Sequence, residues 1–332
     1  MKICIVAPAK SGSTAIYNTV RTALSREGYC YSFFEPQRPY PILRLKNYDF
    51  AEPFVTKIMV SRMVSEKSDF HMDWFDKRIL LVRDVKDLMI SELLFRPLIA
   101  PAEISAEAIA EFVALIKDKE RNPQGRSVIE LHKRADALGV SSLNWEIYRT
   151  ILCRLQVLRA RHACAVVHFE DYARGDYSAF RQILSMPIGP TNLDGTWVSH
   201  IQRKGQSGEW RKWFTPEDLE FATGFFGEYN AAFGYETARN HSFNAEPLDP
   251  QFGSTHVEKK FTLRRKQMDM LNNADAQVET AEELEVLISR ARDGGIQQIQ
   301  KLVQLQAAGN LPKDLISRAE VSALKFFSEV VS

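Results

Sequence analysis

Residues 8–14, Pro-Ala-Lys-Ser-Gly-Ser-Thr, have the makings of an anion-binding loop. A β-branched run from Lys2 to Ala7 precedes them, and Ile16, Val20, Ala23 and Leu24 follow at helical spacing. A strand entering a helix through small residues presents backbone N–H groups at the positive end of the helix dipole. Here those groups belong to Gly12, Ser13 and Thr14. Gly12 permits close backbone approach, and Lys10 adds a mobile cation. An ordinary helix start fits the same residues equally well, because Ser and Thr are good N-caps. The order departs from the Walker A pattern, which ends Gly-Lys-Ser/Thr. Lys10 stands two residues before Gly12 and Ser13 directly after it, which weakens a magnesium-dependent kinase.

The elements that must position this loop follow from the pattern of the chain. Strands are predicted over Lys2–Ala7, Tyr29–Phe34, Val55–Val60, Arg78–Val82 and Ala163–Phe169. Helical patterns lie between them, including Asp87–Phe95, Glu107–Lys119 and Trp145–Arg159, with a surface turn at Asn122-Pro123-Gln124-Gly125. Strands alternating with helices imply an α/β, doubly wound, mainly parallel sheet with flanking helices. Arg83 then stands at the carboxyl end of a strand, where open α/β sheets bind ligands.

Composition narrows the classes. Of 332 residues, 45% are hydrophobic and 26% charged, so the chain is globular. Lys+Arg is 43 against Asp+Glu 42, which argues against a nucleic-acid binder. No run approaches the ~20 apolar residues of a membrane span, so no integral membrane contact is expected. The start shows no signal peptide, and the four cysteines (Cys4, Cys30, Cys153, Cys164) are scattered without Cys-x-x-Cys spacing. Reduced thiols, no metal site and a cytoplasmic location are the expectation.

Four blocks in order resemble the sulfotransferase family. Residues 8–14 resemble its 5′-phosphosulfate loop, Pro-Lys-Ser-Gly-Thr-Thr, with one residue added. Leu81-Val82-Arg83-Asp84-Val85-Lys86-Asp87 with Ser91 looks like its 3′-phosphate block, with Val85 in place of proline. Phe169-Glu170-Asp171-Tyr172 resembles a Tyr-Glu-Asp-Leu segment that ends a late strand. Arg203-Lys204-Gly205-Gln206-Ser207-Gly208-Glu209-Trp210 resembles Arg-Lys-Gly-x-x-Gly-x-Trp, before a helical pattern at Pro216–Ala232. The resemblance covers roughly residues 1–235 and implies a P-loop NTPase-like sulfotransferase fold.

The implied reaction moves a sulfuryl group from 3′-phosphoadenosine 5′-phosphosulfate (PAPS) to an acceptor hydroxyl, without a metal. Lys10, Ser11, Gly12, Ser13 and Thr14 would hold the 5′ end of the donor. Arg83, Ser91, Arg203, Lys204 and Gly205 would hold the 3′-phosphate, arginine supplying charge-assisted hydrogen bonds. Lys10 would neutralise charge on the leaving phosphate, and Lys57 resembles a second active-site lysine of cytosolic members. Lys57 also reads as a strand lysine turned to solvent. Two departures matter. Ala15 stands where the family often has an adenine-stacking tryptophan, leaving Phe169 or Trp197 for that role. The dimer motif is degraded to Arg211, Thr215, Pro216 and Glu220.

For the base, the family's cytosolic histidine position is Met59. Phe34-Glu35-Pro36 resembles the Glu-Pro segment of carbohydrate and bacterial members, in which glutamate serves as base. Aromatic surroundings would desolvate Glu35 and strengthen it as a base. A structural carboxylate paired with Arg38 or another cation is the other reading. His71 is the second candidate base. The Glu-Pro segment points to a carbohydrate or glycolipid acceptor and a soluble bacterial type. Other readings are a P-loop-like kinase and a non-catalytic nucleotide-binding protein of the same fold. The expected organisation is a sulfotransferase domain over 1–240, in which 97–160 is a helical acceptor-side segment, a linker over 241–256, and a helical extension over 257–332. That extension is expected to pack on the core or to join a second subunit as a homo-oligomer.

Overall fold

A computed structural model describes residues 1–26, 28, 30–36, 39, 42, 52–99, 104–190, 207–235, 243 and 246–272. Five parallel strands form one sheet: β1 (Lys2–Ala7), β2 (Tyr31–Phe34), β3 (Phe54–Met59), β4 (Lys77–Val82) and β5 (Ala165–His168). Their order is β2-β3-β1-β4-β5, so β1 is central. Period-two alternation splits the strands' side chains between two cores. Ile3, Ile5, Val55, Ile79, Leu81 and Val167 face one layer. That layer holds helix α1 (Ser13–Ser25), through Ile16, Tyr17 and Val20, and a short helix at Ser178–Leu184. Cys4, Val6, Ile58, Leu80 and Val82 face the other layer.

The second layer is larger. It contains α2 (Val60–Ser65), α3 (Val85–Ile99), α4 (Ala106–Arg121), α5 (Val128–Ala137) and α6 (Trp145–His162). After β5 come α7 (Phe169–Ala173), α8 (the Ser178–Leu184 helix), α9 (Trp210–Trp213), α10 (Pro216–Phe225), α11 (Gly227–Phe233) and α12 (Ser254–Asn272). The helical pattern over 216–232 is therefore two helices with a break at Phe226. Thr215 caps α10 reciprocally with Asp218, and Pro216 at its first turn is placed where no N–H is needed. That role explains proline at the degraded motif position.

The expected linker over 241–256 is corrected in part. Leu248 donates its N–H to the Glu120 carbonyl at 2.8 Å, and the Ser254 hydroxyl meets the Glu120 carboxylate at 2.7 Å. A Cβ at Gly253 would overlap that carboxylate, so glycine permits the close approach. Helix α12 begins at Ser254 and buries Val257 and Phe261 in the main core. Residues 246–261 thus belong to the core domain, while 273–332 lie outside the described residues. The turn at 122–125 is present, but it wraps the buried Lys119 ammonium, which donates to the Pro123 and Arg126 carbonyls. Burial lowers Lys119 to about 8. Among the described residues no helix is long and apolar enough to cross a membrane.

Candidate functional site

The loops after β1 and β4 meet at the carboxyl end of the sheet. Gly12 is the N-cap of α1 with φ 76°, and no side chain caps the helix. By contrast, Ser105, Ser127, Asn144 and Thr215 cap α4, α5, α6 and α10 with side-chain oxygens. The first turn of α1 also has no acidic residue. Its outward N–H groups thus retain capacity for an anion. A Cβ at Gly12 would overlap the Phe169 ring, so the loop needs glycine for both conformation and space. The Ser11 hydroxyl turns back to the Pro8 carbonyl at 2.8 Å and is fully buried, so it braces the loop. Ser13 is buried at the start of the helix.

Cations gather around this helix start. Lys57, buried in β3, donates to the Thr14 hydroxyl at 3.0 Å and forms an ion pair with Glu35, just beyond β2. Lys57 therefore does not point to solvent. Glu35 pairs with that cation, and its side chain is 29% exposed. That is the structural pairing the sequence left open, with Lys57 as the cation, and the exposed remainder leaves the carboxylate within reach of a second group.

Arg83 is buried at the end of β4. Its Nη1 donates to the Lys10 carbonyl at 2.8 Å, and its guanidinium lies 4.5 Å from the Phe169 ring centroid. The Tyr229 hydroxyl engages both the N–H and the C=O of Arg83, at 3.2 and 2.9 Å. Arg83 Nε is buried without a hydrogen-bond partner among the described residues. The Lys10 ammonium rests 3.4 Å from the centroid of the Phe95 ring on α3. Ser91 is partly buried on the same helix.

The second and third sequence blocks are physically joined. Asp87 accepts from the N–H groups of Gly208 and Trp210 at 2.6 and 3.0 Å. Lys86 pairs with Asp84 at 3.0 Å and lies 4.9 Å from the Trp210 ring centroid. Arg203, Lys204, Gly205 and Trp197 lie outside the described residues. Glu170 accepts the Asp84 N–H at 2.8 Å and the Tyr235 hydroxyl at 3.1 Å, tying β5 to the Arg83 loop. Burial raises the Glu170 and Asp84 carboxyls above their ordinary values.

His71, the second candidate base, is set apart from these residues. Strand β4 must start at the amino end of the sheet, and residues 66–76 carry the chain there. Asp76 donates its N–H to the Lys2 carbonyl at 2.9 Å, and Trp74 packs edge-on against Phe54 at the start of β3. His71 sits among these, between fully buried Phe70 and Met72. Lys10, Glu35, Lys57 and Arg83 gather at the opposite end. Sequence reasoning also missed Tyr229 and the contacts of Asp87, which brace the site from α11 and α3 through partners far apart in the chain. No protein-family model, curated protein or solved structure matches the chain.

Proposed function

We propose that the protein is a sulfotransferase of P-loop-like fold that moves the sulfuryl group of PAPS to an acceptor hydroxyl. The observation that carries this reading is the convergence of Lys10, Lys57 and Arg83 on an α1 N-terminus without a side-chain cap. It lies beside the central strand, at the carboxyl end of a sheet of order β2-β3-β1-β4-β5. Lys10 and the N–H groups of residues 12–14 take the 5′-phosphosulfate, and Arg83 and Ser91 take the 3′-phosphate. Arg203, Lys204 and Gly205 complete the reading from the sequence alone.

The acceptor oxygen attacks sulfur as the bond from sulfur to the bridging phosphate oxygen breaks, in line, by analogy with phosphoryl transfer. The acceptor proton passes to Glu35, which Lys57 holds by one carboxylate oxygen. The leaving group is adenosine 3′,5′-bisphosphate, whose charge Lys10 neutralises. A carbohydrate hydroxyl is the acceptor class we favour. Phe169 is already stacked on Arg83 beside Gly12 and is the described aromatic best placed to meet a purine.

Thermal unfolding with adenosine 3′,5′-bisphosphate, without metal, tests the reading. Stabilisation should follow mass action, about 2.7 kcal/mol at a hundredfold excess over Kd. Stabilisation by ATP with magnesium alone would favour a kinase instead. Transfer of labelled sulfate to a sugar panel then separates an enzyme from a non-catalytic binder.

A further inference from the structure

The helix that follows Arg83 carries a charged residue that the donor-binding residues do not use. Glu92 is two turns along α3 from Asp84 and is 2% exposed. One carboxylate oxygen accepts from Arg96 Nε at 3.1 Å. The other, Oε1, is buried without a hydrogen-bond partner among the described residues. An unsatisfied buried carboxylate oxygen is costly, and such a group calls for an explanation. Burial raises the Glu92 carboxyl above its ordinary value, and the charges of Arg96 and Lys10 oppose that rise and favour the ionised form. Tyr148 on α6 also faces it, and the buried Tyr148 hydroxyl likewise has no partner.

Phe95 stands one turn beyond Glu92 on α3, so the two share a side of the helix. The Lys10 ammonium sits over the Phe95 ring at 3.4 Å. An ammonium over an aromatic face is attracted to it, and a nearby carboxylate adds to that attraction. Helix α3 thus offers the amine an aromatic face and, one turn back, a carboxylate.

We propose that Glu92 and Phe95 are positioning residues for Lys10, forming a resting cradle from which an incoming anion must draw its ammonium. This rests on the reading of Lys10 as a donor-binding lysine. In the anion-free protein Lys10 belongs to α3. When a phosphate group enters the loop, the ammonium is shared with it and loses contact with the cradle. Glu92 is then left with Arg96 alone, and its carboxylate binds a proton more readily. Anion binding should therefore take up protons, and the cradle should compete with the anion for the amine.

The test reads Lys10 directly. Acetylation of Lys10 by limiting acetic anhydride, followed by peptide mass spectrometry, reports how readily its amine deprotonates. Glu92→Gln keeps the shape and a hydrogen bond to Arg96 but removes the charge. Phe95→Leu removes the ring. In ligand-free protein each should raise the Lys10 labelling rate at pH 7.5, the ring variant by about two- to fivefold, the factor for an exposed cation–π contact. The rate at Lys133, on the exposed side of α5, should not change in either variant. Wild-type labelling rates at Lys10 in both folded variants would overturn the proposal. A second measurement uses calorimetric titration with adenosine 3′,5′-bisphosphate in buffers of different ionisation enthalpy. Wild type should show proton uptake that Glu92→Gln lacks, and equal uptake by both would also overturn the cradle. Altered labelling in the variants, without any nucleotide binding by wild type, would retain the cradle and remove the sulfotransferase reading.

Discussion

Both ends of the sheet gather charge, but they use it differently. At the amino end the two ring nitrogens of His162 each lie 2.9 Å from a carboxylate, Asp73 on one side and Asp69 on the other. Asp69 also pairs with Arg154 and Arg161, and Asp73 with Arg78. Each charge there is answered by a neighbour of opposite sign. At the carboxyl end Arg83 meets no carboxylate among the described residues; it spends one nitrogen on a backbone carbonyl and its face on Phe169. The helix start beside it has no cap of its own. Backbone strain does not separate the two ends. Lys10 and Glu35 have positive φ, and so do Phe70 and His71. A helix start without a side-chain cap and an arginine that meets no carboxylate among the described residues, rather than charge density or strain, set the carboxyl end apart.

The largest effect should come from Glu35→Gln. The amide keeps the shape and a contact with Lys57 but cannot accept the acceptor's proton. Sulfate transfer at saturating donor should fall by about 10²–10⁴, the usual cost of removing a general base. Affinity for adenosine 3′,5′-bisphosphate should change little. His71→Ala, at the answered end, should leave the rate near wild type. A rate loss in His71→Ala alone would erase the contrast between the ends, and a collapse of nucleotide binding in Glu35→Gln would make the Glu35–Lys57 pair structural.

Arg83→Ala should come next. It removes the cation that closes the loop onto β4, and nucleotide affinity should drop by about 1.5–3 kcal/mol, the value of hydrogen bonds to charged groups. That is roughly a ten- to hundredfold increase in Kd, readable by calorimetry. The paired control is Arg154→Ala, which should lower the melting temperature without altering nucleotide affinity. Equal affinity losses in both would mean that the substitution acts through global stability.

Much of the core was legible because it is periodic. The alternation in β1, with Ile3 and Ile5 to one face and Cys4 and Val6 to the other, is local, and so is the stripe of Ile16, Val20, Ala23 and Leu24. The passage from β1 through a short loop into α1 was legible because a β-branched run, small residues and a helical stripe follow one another directly in the chain. The Lys57–Glu35 pair was not, since strand register sets those side chains against one another across 22 positions. The place of His71 depends on which end of the sheet a connection reaches, which composition does not encode. The segment over 241–256 looked like a linker because it lacks periodicity. Its part over 246–256 is ordered by two contacts to Glu120, a residue that no spacing rule relates to Ser254.

The smallest effect concerns the answered end and its response to acid. Burial pushes the Asp69 carboxyl up, but the hydrogen bond from His162 and the charges of Arg154 and His162 outweigh it, so Asp69 lies below its ordinary value. The hydrogen bond from His162 lowers Asp73 as well. A carboxylate depressed in the folded state binds fewer protons there than in the unfolded chain. Its stabilisation is therefore fully present above the unfolded value, near 3.8 for both groups, and is lost as pH falls through the folded values. Asp69→Asn should remove part of that dependence, flattening the melting temperature against pH below about 5, where paired carboxylates begin to matter. At neutral pH the loss should be only about 1 kcal/mol or less, the range of solvent-screened pairs. The carboxyl end, the proposed nucleotide site, supplies the contrast: adenosine 3′,5′-bisphosphate should bind Asp69→Asn with wild-type affinity at pH 7. An unchanged acid profile in Asp69→Asn would show that the His162 cluster does not set acid stability. A change in nucleotide affinity would show that the two ends communicate through the sheet.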